Sequence, residues 1–126
     1  MSDINTLNNV EFIDVGPSSL VAEGQRVTVE FVDRQLALSR VEGKAFAIDN
    51  RCPHRDGLMA EGTLEGHHLY CPLHAWCFDV RSGDAFFPRG ATIACFDVVE
   101  RDGRLLISRL PNNRPPRAGL SVPPLP

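Results

Sequence analysis

The sequence lacks three features that would each indicate a particular class of protein. No apolar run approaches the roughly 18 residues that a membrane-spanning helix needs. The first thirty residues contain no basic segment followed by an apolar one, and no twin arginine, so a secretory signal is not expected. Positive charge is not in excess, because 13 lysines and arginines stand against 16 aspartates and glutamates. We therefore expect a cytoplasmic protein that binds neither membranes nor nucleic acid.

A helical pattern is also missing, since no segment of ten or more residues repeats its apolar side chains with a period of 3.6. Short alternating segments are present instead. The clearest spans residues 26–31, where Val27, Val29 and Phe31 alternate with polar side chains. Similar segments, separated by turns that mostly contain glycine, lie at 11–15, 35–40, 44–49, 94–100 and 105–108. This pattern predicts an all-β protein, a sandwich or a barrel with little helix.

The length of 126 residues predicts a single folded domain between two less ordered ends. Residues 1–10 are polar and are expected to form a flexible N-terminus. Residues 111–126 contain six of the ten prolines, so this tail cannot join a central strand. The predicted domain therefore covers residues 11–110.

Three of the four cysteines and all four histidines lie between residues 51 and 79. Cys52 and His54 form one pair, Cys71 and His74 form a second, and sixteen residues separate the two pairs. Thiolates together with imidazoles suit zinc, copper or an iron–sulfur centre. Structural zinc sites usually pair like ligands along the chain, whereas here each pair offers one cysteine and one histidine. That arrangement suits a cluster in which one iron takes both cysteines and the other both histidines; a zinc-stabilised structural module is the alternative.

The surrounding residues resemble those of a known family. Cys-Pro-His-Arg-x-Gly at 52–57 and Cys-Pro-Leu-His-Ala-Trp at 71–76 are similar to the two cluster-binding loops of Rieske [2Fe–2S] proteins. The resemblance implies one [2Fe–2S] cluster per chain, in which the inner iron is held by Cys52 and Cys71 and the outer iron by His54 and His74. It also implies an antiparallel β-sandwich into which a three-stranded cluster-binding subdomain, at about residues 50–90, is inserted as loops.

Three further residues are assigned to the surroundings of the cluster. Trp76 and Phe78 are expected in the core beneath it, with Trp76 shielding it from water. Pro88, in Phe-Phe-Pro-Arg-Gly, resembles the proline of a third loop that covers the cluster in this family. The basic residues Arg51, Arg55, Arg81 and Arg89 are either a ring that docks an acidic partner or ordinary solvated charges.

The resemblance implies a one-electron carrier of the ferredoxin type, without a catalytic site of its own. Its expected partners are a flavoprotein reductase as electron donor and a terminal oxygenase or another oxidoreductase as acceptor. The small subunit of an NAD(P)H nitrite reductase is the alternative, favoured by the sixteen-residue interval and by Phe78-Asp79. A complete Rieske oxygenase would need another iron site with two more histidines, and only His67 and His68 are left.

Certain absences within the motif predict the reduction potential. High-potential members of the family carry an additional cysteine in each loop, which form a disulfide, and two hydroxyl residues after the second histidine. The matching positions here are Gly57 and Leu73 for the cysteines, and Trp76 and Phe78 for the hydroxyls. Since hydrogen bonds to the cluster sulfurs raise the potential, we expect a value at the lower end of the Rieske range.

The remaining histidines and cysteines are interpreted as structural. His67 and His68 are adjacent, so on a strand they point to opposite faces and cannot chelate together. They are expected at the surface or on an edge strand. Cys77 and Cys95 are interpreted as buried thiols, because a disulfide is rare in a reducing compartment.

Overall fold

The computed structural model describes residues 11–54, 57–73 and 76–113. This part of the chain forms antiparallel strands and two short 3₁₀ turns, Ser18–Leu20 and Met59–Glu61, and contains no α-helix. The strands are β1 (Phe12–Pro17), β2 (Arg26–Phe31), β3 (Arg34–Val41), β4 (Lys44–Asp49), β5 (Leu64–Glu65), β6 (His68–Tyr70), β7 (Cys77–Asp79), β8 (Ala85–Phe87), β9 (Cys95–Phe96), β10 (Val98–Arg101) and β11 (Arg104–Ser108). The all-β prediction is confirmed. In the described residues no helix is long and apolar enough to cross a membrane.

The predicted segments at 26–31, 35–40 and 44–49 are strands, and they form an antiparallel meander. Strands β2, β3 and β4 pair in sequence order, and β9 extends the sheet to the order β2-β3-β4-β9. Val29 and Phe31 are buried while Thr28 and Glu30 are exposed, as the alternation predicts. The turn between β3 and β4 is tight because Glu42 and Gly43 both adopt positive φ angles, of 53° and 80°.

A second sheet has the order β1-β11-β10. Its strand β1 runs on through Gly16 and Pro17, which were expected to form a turn, and a bulge between Asp14 and Gly16 bends it. The two sheets enclose one apolar core: Val21, Val29, Phe31, Leu36, Leu38, Ala47, Ala94, Phe96, Leu105 and Ile107. We call these two sheets and their core the base.

The prediction of one strand over residues 94–100 was wrong. β9 pairs with β4 in one sheet of the base, whereas β10 pairs with β11 in the other. Asp97 lies at the crossing, where its amide donates to Ser108 Oγ and its carbonyl accepts from the Ser108 amide, both at 2.9 Å. Because Phe96 and Val98 both pack against the base core, the alternation continues across the crossing and does not reveal it.

The third sheet, in the order β5-β6-β7-β8, is inserted between β4 and β9. It has four strands rather than the three that the resemblance implied, because Leu64–Glu65 adds a two-residue strand. A second core lies beneath it and includes Met59, Leu69, Phe78, Val80 and Ile93. We call this sheet and the loops that it carries the cluster subdomain.

The structure describes the first residues of the predicted C-terminal tail but none of the predicted N-terminal segment. Residues 1–10 and 114–126 lie outside the described residues, so their predicted flexibility stays a prediction. The first residues of the predicted tail lie against the folded domain. The Asn112 amide donates to Cys95 O at 2.7 Å, and Asn113 Nδ2 donates to Ile93 O at 2.9 Å and to Ser82 O at 3.1 Å. These contacts join the base to the cluster subdomain.

Candidate metal centre

The first predicted ligand loop is closed by its own backbone. Arg51 pairs with Leu58 as an isolated antiparallel bridge. Inside that bridge the Cys52 amide donates to Gly57 O at 2.8 Å. Cys52 is fully buried, whereas Pro53 is exposed at the turn of the loop. The sulfur-bearing residue therefore lies at the base of a short closed finger.

The second predicted ligand loop has the same closure in the same register. Tyr70, the last residue of β6, pairs with Cys77, the first residue of β7. The Cys71 amide donates to Trp76 O at 2.8 Å. In both loops the residue before the cysteine pairs with the residue seven positions later, and the cysteine amide bonds to the carbonyl five positions later. The two Cys-Pro motifs thus occupy equivalent places in matched fingers.

Gly57 brings the two fingers into contact. A methyl group at this position would lie 2.7 Å from Cys71 Sγ and 3.2 Å from Leu73 Cγ, so only glycine fits without displacement. Gly62, which follows the first finger, allows a similarly close approach to Tyr70, because a side chain there would overlap the Tyr70 carbonyl. Neither glycine has a positive φ angle, so it is close approach and not backbone conformation that requires glycine at both positions.

A ring stack joins the first finger to the second. The His54 and Trp76 rings are nearly parallel, with 4.4 Å between centroids and 4° between planes. Trp76 is 5% exposed, and Phe78 lies fully buried behind it at a centroid distance of 6.3 Å. Both residues therefore lie in the core beneath the fingers, as expected. The stack fixes the plane of the His54 imidazole.

The described residues fit a [2Fe–2S] cluster by their donor chemistry and placement. Cys52 and Cys71 are buried thiols from two touching fingers, and His54, two residues after Cys52, is half-buried against Trp76. The fourth predicted ligand, His74, lies outside the described residues. Among the described residues no three His, Cys, Asp or Glu side chains converge on a point suited to one ion. A binuclear centre needs no such convergence, because each iron takes two protein ligands.

The two histidines interpreted as structural do lie on opposite faces. His67 packs edge-on against Phe46 of the base at 5.6 Å, and His68 stacks on Phe86 of β8 at 4.5 Å. Both are half-buried rather than fully exposed. His67 therefore forms part of the contact between the base and the cluster subdomain.

Cys77 and Cys95 are buried thiols that form no disulfide, as predicted. Burial raises the pKa of the Cys95 thiol to about 11, and its Sγ donates to Val80 O at 3.6 Å. Burial also raises the pKa of the Cys77 thiol, an effect that a hydrogen bond with Tyr70 partly offsets. Both shifts favour the protonated thiol, as expected for buried apolar cysteines.

The third predicted loop carries an apolar surface that sequence reasoning missed. Pro88 is buried behind a cis peptide bond with Phe87. Phe86 and Phe87 of β8 are 62% and 55% exposed, and Leu73 of the second finger is 57% exposed. Alternation along a three-residue strand is too short to predict this exposure.

The four arginines, interpreted either as a docking ring or as ordinary solvated charges, are only partly covered by the described residues. Arg81 forms a two-contact ion pair with Asp79, at 2.8 and 3.0 Å, which lowers the pKa of that carboxyl. Arg51 and Arg89 are exposed, and Arg55 lies outside the described residues. Arg81 therefore supports the turn that begins at Val80 rather than a docking surface.

Comparison with known proteins agrees with this geometry. Residues 11–97 match the model of the Rieske [2Fe–2S] domain. The chain belongs to the Rieske [2Fe–2S] family, and its cofactor is a [2Fe–2S] cluster.

Among its relatives is the ferredoxin component of the naphthalene 1,2-dioxygenase system of Pseudomonas putida. The two are 41% identical over 76 residues, which cover 60% of this chain and 73% of the relative. The ferredoxin component of the alkene monooxygenase system of Xanthobacter autotrophicus is 29% identical over 105 residues, covering 82% of this chain and 86% of the relative.

Solved structures give the same fold. The ferredoxin of Sphingomonas yanoikuyae B1 has a TM-score of 0.71 at 29% identity, covering 78% of this chain and 98% of that one. A complex of reduced oxygenase and oxidised ferredoxin in carbazole 1,9a-dioxygenase contains a chain with a TM-score of 0.75 at 26% identity, covering 82% and 97%.

Proposed function

We propose that this chain is the ferredoxin component of a multicomponent oxygenase system. It accepts electrons from a flavoprotein reductase and passes them singly to a terminal oxygenase. The observation that carries the proposal is the pair of matched fingers. The chain also aligns with most of the length of small ferredoxin relatives. The chain acts as a carrier and not as an enzyme. We also propose a cytoplasmic location, where buried thiols such as Cys95 stay reduced.

The proposed ligands are those that the family motif implies. Cys52 and Cys71, buried between the two fingers, hold the inner iron, and His54 and His74 hold the outer iron. The cluster supplies a one-electron couple whose potential is raised when two imidazoles replace two thiolates. The protein's own contribution is to keep the cysteines buried and to orient His54 against Trp76.

The proposed contact with the oxygenase lies beside the second finger and includes the exposed apolar side chains of Leu73 and Phe87, together with Phe86 of the same edge strand. Leu73 directly precedes His74 and lies against Gly57 of the other finger. Phe87 pairs with Cys77 at the foot of the second finger. Exposed aromatic side chains beside a redox centre suit a transient interface, because they bury apolar area on docking. A relative has been solved as a complex of oxygenase and ferredoxin, which supports this kind of partner.

The nitrite reductase alternative has weaker support. The interval between the pairs and Phe78-Asp79 favoured it, but the relatives described above are components of oxygenase systems. A zinc module is the other alternative. A reddish-brown protein that bleaches with dithionite and shows a rhombic EPR signal would support the cluster, whereas a colourless protein with one zinc would refute it.

The test of function is reconstitution with NADH or NADPH, a flavoprotein reductase and a Rieske oxygenase. We expect substrate oxidation to require this chain. The double variant Phe86→Ser/Phe87→Ser should reduce the rate of oxygenase reduction while leaving the EPR spectrum unchanged. Leu110→Ser is the matched control, because Leu110 is 65% exposed and lies on the base beyond β11. Equal rates for the double variant and the wild type would refute the docking surface.

The reduction potential should lie at the lower end of the Rieske range, about −150 mV. Gly57 and Leu73 face each other where the additional cysteines would stand, and Trp76 and Phe78 are buried where hydroxyls would reach the cluster. A redox titration monitored by EPR measures the midpoint. A clearly positive value would contradict this expectation.

A further inference from the structure

Asn50 is a fully enclosed polar residue two positions before Cys52. It is 1% exposed and follows the last residue of β4. A buried carboxamide is costly unless its donors and acceptor find partners. The hydrogen-bond partners of Asn50 therefore indicate its structural role.

Asn50 precedes the first finger, and both its side chain and its backbone accept hydrogen bonds from residues that follow the finger. Asn50 Oδ1 accepts from the Ala60 amide at 2.8 Å, and Asn50 O accepts from the Met59 amide at 2.7 Å. These two amides belong to the 3₁₀ turn that follows the finger. One residue thus holds the start of the finger to its end.

The other half of the carboxamide is anchored in the base. Asn50 Nδ2 lies 3.3 Å from Thr28 Oγ1 of β2 and 3.4 Å from Gln35 Oε1 of β3. The Asn50 amide also donates to Gln35 O at 3.0 Å. The first finger is in this way tied through one side chain to two strands of the base.

The two fingers are closed by equivalent backbone pairs and hydrogen bonds, but the strands that support them differ. The second grows from β6 and β7, which pair over three residues and have β5 and β8 on either side. The first has a single bridge, between Arg51 and Leu58. That bridge closes the finger, and its position relative to Cys71 depends on other contacts: those of Gly57 and His54 with the second finger, and those of Asn50 with the base.

We propose that Asn50 is a positioning residue for the cluster: its carboxamide determines where the Cys52 finger stands relative to the Cys71 finger. Asn50 acts through Cys52 and His54. The proposal rests on the ligand set proposed above. Groups that orient metal ligands influence both the retention and the potential of the centre.

The test compares Asn50→Leu with Asn113→Leu. Both changes remove a carboxamide that makes three side-chain hydrogen bonds, but those of Asn113, with Cys95, Ser82 and Ile93, lie away from the fingers. We expect Asn50→Leu to release its cluster to a chelator about tenfold faster than the wild type, with shifted g values and a displaced midpoint potential. Asn113→Leu should keep the wild-type spectrum and potential.

Two further variants keep the proposal testable if Asn50→Leu does not fold. Asn50→Asp keeps the acceptor for the Ala60 amide, loses the donors to Thr28 and Gln35 and buries a charge, so it should release its cluster faster than the wild type. Thr28→Val removes one anchor and should shift the spectrum in the same direction by less. Hydrogen exchange of residues 58–62 should accelerate in each apo variant of Asn50, independently of cluster content.

Wild-type g values, potential and cluster lifetime in Asn50→Asp and Thr28→Val would overturn the proposal. So would changes in Asn113→Leu as large as those in Asn50→Leu, because they would reflect general destabilisation. If instead the proposed ligand set were wrong, Cys52→Ser would keep its full cluster content.

Discussion

The base and the cluster subdomain are built in different ways. The base contains strands of up to eight residues around a core of aliphatic and phenylalanine side chains. The four strands of the cluster subdomain have only two or three residues each, and its core includes Cys52, Cys71 and Trp76. Strands this short supply few ladder hydrogen bonds and are marginal by themselves. From this comparison we expect the base to support itself, and the subdomain to depend on the base and on its metal centre.

The largest effect should come from removing a ligand. We expect Cys52→Ser to lose the cluster and with it the visible absorbance and EPR signal, while circular dichroism still reports a folded base. Proteolysis should then be confined to residues 50–90. Cys77→Ser is the matched control, because it changes another fully buried thiol of the same subdomain and should keep the cluster. Loss of the whole fold in Cys52→Ser would mean that the base does not support itself.

A smaller effect is expected from a cavity in the base. Leu38 of β3 is fully buried, so Leu38→Ala should lower the free energy of unfolding by about 2–5 kcal/mol. Since the subdomain depends on the base, the cluster should be lost before the base unfolds or together with it, and never after it. Chemical denaturation followed by circular dichroism and visible absorbance measures both. Leu110→Ala, at an exposed position, should change stability by less than about 0.5 kcal/mol. Visible absorbance of the cluster that persists after the base has unfolded would contradict the dependence.

The smallest effect concerns an ion pair confined to the base. Arg40 Nη2 and Nη1 donate to the Glu100 carboxylate at 2.9 and 3.2 Å, and this hydrogen bonding lowers the pKa of Glu100 below its usual 4.5. A lowered pKa in the folded state stabilises the protein above pH 4.5, and that stability is lost as the pH falls through the lowered pKa. Glu100→Gln should remove this pH-dependent part, which is below about 1 kcal/mol because the pair is partly exposed.

Unfolding midpoints measured between neutral and acidic pH test this prediction. Asp14→Asn provides a comparison, because its pair with Arg104 is more exposed on both sides and should contribute less. An acid profile of Glu100→Gln as steep as that of the wild type would contradict the assignment.

The sequence predicted the base better than the subdomain for a physical reason. Strands β2 and β4 begin and end where the alternation predicted, because each is half-buried and long enough to show a period of two. Strands β5 and β8 are too short for any period. The crossing at Asp97 was missed because both sheets bury their side chains in one core.

The candidate site was predictable where covalent chemistry limits the choice of residues. Cys52, His54 and Cys71 carry donor atoms that few other residues supply, so their spacing revealed the centre. Leu73, Phe86 and Phe87 carry no such signal, since an apolar residue in a short loop is as often buried as exposed. Asn50 was missed because an asparagine before a loop is normally a turn residue.

The sequence by itself determined the proposed donor set, the two Cys-Pro motifs and the absence of a disulfide between positions 57 and 73. These depend on residue type and local spacing. Only the tertiary structure decided how the fingers meet at Gly57, how Trp76 stacks on His54 and how one finger depends on Asn50. Such contacts join residues far apart in the chain, and their geometry exists only once the base has folded.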